Sequence, residues 1–140
     1  MTSAKILYHW TKAVGKHFVP LSKPQASVLA LFSLGVARAG SCVLNRVAQA
    51  LPWIGKLDTV ERRLQRFLAN PRIHLEPGCV SLARWVLSSL SFASNTLVLL
   101  VDETARAEHL KVMAVGLAYR GRAIPLAWWC YPQDQYPMRQ

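Results

Sequence analysis

The sequence predicts an α+β protein in which helices come first and strands last, and three observations carry that reading. Apolar residues recur near helical period through the first two-thirds of the chain, from Val28, Leu29, Leu31, Phe32 and Val36 to Val80, Leu82, Val86 and Leu90. An unbroken aliphatic run, Leu97-Val98-Leu99-Leu100-Val101, then ends in Asp102-Glu103-Thr104. Beyond it, two β-type segments, Leu110 to Tyr119 and Arg122 to Tyr131, are separated only by Arg120-Gly121, a connection of hairpin length. Serines and Asn95 cluster ahead of Leu97, so the expected domains are a basic helical one over 1–95 and a strand-bearing one over 96–140.

Each element has a local cause. Ser22 and Gln25 stand at capping-box spacing and open a helix whose apolar face must be buried. Gly40-Ser41 breaks that helix, and Ser41 is expected to cap a second one running through Leu44, Val47 and Leu51 before Pro52. Helix, glycine turn and helix fit two readings: a helix-turn-helix DNA reader that presents Asn45, Arg46 and Gln49 outward, or an ordinary helical hairpin. Asp58-Thr59-Val60-Glu61 is a further capping-box pattern, and the helix it opens carries Arg62, Arg63 and Arg66. Arg62 and Arg66 are four apart and share a face, with Arg63 beside Arg62, so the three form one cationic patch. Such a patch suits phosphates; the alternative is a solvated surface with Glu61 pairing locally. Asn70-Pro71 closes the helix, because the residue before proline avoids the α region, and Glu76-Pro77 opens the next. The aliphatic run reads as a strand covered on both faces, which places Asp102 at or near its end. A carboxylate in apolar surroundings needs a cation or hydrogen bonds to stay ionised, and a metal ion is one such cation. The alternative is that Asp102-Glu103-Thr104 starts a turn or caps a helix.

Charge is unevenly distributed. The 140 residues carry 17 Lys and Arg against 7 Asp and Glu, a formal net charge of +10. Residues 1–95 account for +9 of it and residues 96–140 for +1. The cationic part is therefore the helical part, which allows nucleic acid or anionic membrane surfaces as partners and adds Arg46 and Lys56 to the DNA-binding candidates. The longest apolar helical stretch, Val28 to Ala37, is about ten residues where a spanning helix needs roughly 20, so no membrane partner is expected. His9, Lys12 and Lys16 interrupt the apolar residues near the start, and the expected location is the cytoplasm. Cys42, Cys79 and Cys130 are widely spaced, which argues against a disulfide framework or a paired-cysteine zinc site and for buried, reduced thiols. His9, His17, His74 and His109 show no metal-ligand spacing.

Val101-Asp102-Glu103-Thr104, together with Val115-Gly116-Leu117-Ala118-Tyr119 and above all Gly121-Arg122-Ala123-Ile124-Pro125-Leu126-Ala127-Trp128, resembles the start of the catalytic domain of DDE transposases of the IS4-like kind. The stretch Asp58 to Asn70 resembles the basic helix that often precedes that domain. The resemblance implies a ribonuclease H-like fold for residues 96–140 and assigns Asp102 as catalytic residue and first ligand of an Asp-Asp-Glu metal triad. Asp102 is favoured over Glu103 as that ligand, since neighbours on a strand point to opposite faces. The implied chemistry is phosphodiester cleavage and strand transfer at transposon ends with two magnesium ions. The implied partners are transposon-end DNA, a second copy of the chain or a full-length transposase.

One departure from the family matters. Asp134 is the only acidic residue after Glu108, and its proline-punctuated setting reads as a loop, so the other two triad members are not identified in this sequence. The expectation is a truncated, catalytically inactive transposase-like chain with weak or absent magnesium binding. A three-strand piece would also leave an open sheet edge and face, exposing Trp128, Trp129 and Tyr131. The alternatives are a non-catalytic or inhibitory DNA-binding protein, and a helical interaction domain that binds no DNA.

Overall fold

Ser22 and Gln25 form the capping box expected of them: the Gln25 backbone N–H donates to Ser22 Oγ at 3.4 Å, and the Ser22 N–H donates to Gln25 Oε1 at 2.8 Å. The computed structural model of the chain describes residues 1–106 and 108–135. Among them are five helices, α1 (Ser3–His17), α2 (Lys23–Ala39), α3 (Leu44–Gln49), α4 (Leu57–Leu68) and α5 (Leu75–Ser89). Three strands follow, β1 (Leu99–Arg106), β2 (Leu110–Tyr119) and β3 (Arg122–Pro132). The protein is α+β with its helices first. Its two compact units are Met1–His74 and Leu75–Gln140. The division lies ahead of the expected boundary at 95 because α5 packs against β3 and belongs with the sheet.

In the first unit, α2, α3 and α4 enclose a core of Leu31, Val47, Ala48, Leu51, Val60 and Leu64. Gly40 ends α2 in the left-handed conformation at φ 59°, where a glycine has no Cβ to clash. Two local expectations are corrected. Ser41 does not cap α3; its Oγ instead accepts from the Val43 N–H, so Val43 becomes the capping residue and α3 ends at Gln49, short of Leu51. Asp58 does not cap α4 either, because α4 already begins at Leu57 with Lys56 at the N-cap, and Asp58 lies within the first turn. There its carboxylate opposes the positive end of the helix dipole. Helix α1 is fastened to α2 by a hydrogen bond of 2.7 Å from Trp10 Nε1 to Ser33 Oγ.

In the second unit, β1, β2 and β3 form an antiparallel meander. The turn between β2 and β3 is the expected Arg120-Gly121, both at positive φ (49° and 76°), as a type I′ hairpin requires. A bulge between Val115 and Gly116 shifts the β2–β3 register, so that Gly116 faces Pro125 while Val115 faces Ala127. The expectation for β1 is corrected: it is not covered on both faces but exposed along its whole length, with Val101 68% accessible. Among the described residues β1 pairs only with β2, so it is an edge strand. Trp128 and Trp129 are exposed as expected, whereas Tyr131 is buried. Of the cysteines, only Cys79 is buried; Cys42 and Cys130 are exposed free thiols.

Candidate nucleic-acid interface

Helix α4 separates its residues sharply by character. Val60 and Leu64 are buried against α2 and α3, while Arg62, Arg63, Gln65 and Arg66 are exposed. The 3.6-residue period alone produces this, since 60, 64 and 67 fall on one side and 62, 65 and 66 on the other. All three arginines line one open groove of about 540 Å³, together with Pro24, Gln25 and Val28 of α2 and Phe67 of α4. Thr59 and Asn70 extend its rim. The predicted cationic patch is therefore assembled, and its α2 wall is what sequence reasoning missed. The signal for that wall lies in Gln25 and Val28, which the capping box at Ser22 puts in the first turns of α2.

The local neutralisation weighed for this patch does not occur. Glu61 Oε2 accepts a hydrogen bond from Asn45 Nδ2 at 3.1 Å, and Asn45 Oδ1 accepts from Gln49 Nε2 at 2.7 Å. Glu61 is thereby tied to α3. Among the described residues the single ion pair that meets a 4.0 Å limit is Lys111 with Glu103, so Arg62, Arg63 and Arg66 keep their charge unpaired. Arg46 and Lys56 are exposed as well, but neither lines the groove. Residues Met1–His74 carry 11 basic and 2 acidic side chains, a net of +9. No helix among the described residues is long and apolar enough to cross a membrane.

Asp102 stands in the middle of β1 rather than at its end, paired with Ala114. It is exposed, and its Oδ2 accepts from Thr104 Oγ1 at 3.3 Å. Glu103 faces the other way, as strand alternation requires. It accepts from the Tyr131 hydroxyl and from Lys111 Nζ at 2.9 Å, so one carboxylate links all three strands. The Tyr131 hydrogen bond first, and then the Lys111 ammonium, hold the Glu103 carboxyl below the usual carboxylate range. This cluster was not legible in sequence, because the bulge is what brings Tyr131, in place of Cys130, opposite Lys111. Asp134 lies exposed in the turn after β3. Among the described residues no three His, Cys, Asp or Glu side chains converge as a metal site would need.

Comparison with family profiles, curated proteins and solved structures finds no match to this chain.

Proposed function

We propose that this chain is a DNA-binding protein related to DDE transposases, and that it holds DNA through the arginine-lined groove beside α4. The observation that carries the reading is three exposed arginines with no acidic partner on one helix face, in a unit of net charge +9. Duplex DNA carries one phosphate charge per about 1.7 Å of axis, so clustered unpaired guanidinium groups on a rigid helix suit it. Arg46 and Lys56 add charge on the flanks. The resemblance of Asp58 to Asn70 and of Val101 to Trp128 to transposase sequence supports transposon-end DNA as the target and a ribonuclease H-like origin for the sheet.

By the same resemblance Asp102 corresponds to the first magnesium ligand. The donor set beside it does not fit a two-metal site: Thr104 is its hydrogen-bond partner, and Glu103 points to the opposite face, where Lys111 and Tyr131 occupy it. Asp102 with these neighbours therefore does not make up a two-metal cleavage site.

The test is duplex binding by the full chain as a function of salt. Binding should weaken linearly in log–log form, and replacing Arg62, Arg63 and Arg66 with alanine should flatten the slope by about 1 to 3, at roughly 0.9 for each arginine that contacts a phosphate. Asp102→Ala should bind like the parent. Absence of salt-dependent binding at about 50 mM salt would refute the reading and favour an interaction domain without DNA.

A further inference from the structure

Resting on that DNA-binding reading, we propose that α4 is the recognition helix, entering the major groove of duplex DNA and reading base edges through Arg62, Gln65 and Arg66. Of the two readings the sequence allows, the helix-turn-helix one would make α3 the reader, since it carries Asn45, Arg46 and Gln49. The structure removes two of those three from the task. Gln49 is spent on Asn45 and Asn45 on Glu61, so α3's amides fasten α4 in place. Helix α3 is also only six residues long. Helix α4, at twelve residues, has the span of about 18 Å that a groove-reading element needs.

The mounting of α4 is rigid. The segment joining it to α3 buries Leu51 in the core, with Trp53 and Ile54 packed against the same cluster. Arg38 lies over the Trp53 ring at 4.4 Å, which steadies the segment from α2. The seven-residue, core-anchored connection (residues 50–56) is longer than the turn of a standard helix-turn-helix, but it leaves α3 as support and α4, with its outer face free, as reader. A helix with side chains is about 10–12 Å across and the major groove is about 12 Å wide.

The exposed face has the chemistry for bases as well as for phosphates. Arg62, Gln65 and Arg66 are three and four residues apart and adjoin one another on the helix surface. Arginine binds the O6 and N7 of guanine with two hydrogen bonds, and glutamine binds the N6 and N7 of adenine in the same way. Arg63 is turned towards α2, where it lines a second depression with Leu7, Thr11 and Ser27 as well as the main groove. It is placed to hold the backbone at the groove's edge. Gln65 is the decisive residue, because it is neutral and adds no charge to the salt-dependent part of binding, so a sequence preference that depends on it reports contacts to bases.

The test starts from the full chain and a duplex sequence selected from a random pool, with a scrambled duplex as competitor. Gln65→Ala should lower the preference for the selected duplex by about tenfold while leaving the salt slope unchanged, since a bidentate contact discriminates by that order. Arg63→Ala should weaken both duplexes alike and flatten the slope by about 0.9. Gln65 is exposed, and unchanged helical circular dichroism in the variant checks its fold. If the chain binds duplex DNA but selects no sequence, or if Gln65→Ala keeps the preference, the recognition-helix inference is overturned and the DNA-binding reading stands. If the chain binds no duplex, both fall together.

Discussion

Gly35 of α2 lies so close to Val47 of α3 that a Cβ at position 35 would stand 2.6 Å from Val47 Cγ1. The same Cβ would meet Leu51 Cδ1 at 2.9 Å. The support for α4 thus depends on a glycine chosen for closeness of approach, in mid-helix, where glycine costs helix stability. Gly35→Ala should destabilise the helical unit by up to about 2 kcal/mol, the overpacking cost of about 1–3 being partly offset by about 1 of helix propensity. Urea unfolding followed by far-ultraviolet circular dichroism measures it, and a raised midpoint would contradict the close packing.

Leu64 offers the opposite change in the same core. Its side chain is fully buried on α4 among Leu31, Leu51 and Val60. Leu64→Ala should cost about 2–5 kcal/mol from lost burial and the cavity left behind. DNA binding should be lost with the fold, and it should return when the variant is assayed at a temperature low enough to restore helicity.

The hairpin turn carries a conformational cost at Arg120, a non-glycine residue at φ 49°. Arg120→Asn should raise the stability of the sheet unit by up to about 1 kcal/mol, because asparagine enters the left-handed region more readily. Gly121→Ala, at φ 76°, should lower it by about 1–2 kcal/mol. Hydrogen exchange of the Leu117 and Ala118 amides reads both changes; equal protection in the two variants would rule out the turn as the cause.

Glu103 predicts a pH dependence. Its folded pKa lies below the ordinary 4.5, through the Tyr131 hydroxyl and then Lys111. The unfolded chain therefore takes up a proton before the folded one does. The stabilisation it brings is complete above about pH 4.5 and is lost as pH falls through the depressed folded value. Tyr131→Phe and Lys111→Met should each move the Glu103 carboxyl titration upward, read by carbon-13 resonance of that carboxyl.

Asp58 is exposed one turn ahead of Arg62, a negative charge on a helix proposed to meet phosphates. Asp58→Asn should tighten duplex binding by about two- to threefold at low salt. The gain should shrink towards 1 M salt, where charges are screened within about 3 Å. Equal tightening at both salt levels would mean that the gain does not come from charge.

What the sequence by itself determined was local. The capping box at Ser22, the helical period of α4 with its three arginines on one side, and the Arg120-Gly121 turn all follow from residues within a few positions of one another. Their energies are short-ranged, so they can be read from spacing. Tertiary structure decided the rest. Whether Glu61 would neutralise the arginines depended on Asn45 arriving from α3. The aliphatic run of β1 resembles a buried strand, yet burial depends on what packs against a strand, and the described residues leave β1 as an exposed edge. Tyr131 became a partner of Glu103 through one extra residue in β3. Counting symmetrically outward from the turn would pair Ala114 with Ala127, but the bulge pairs it with Trp128 and sets Tyr131 opposite Lys111. A strand has a side-chain period of two, so a single inserted residue reassigns every contact beyond it.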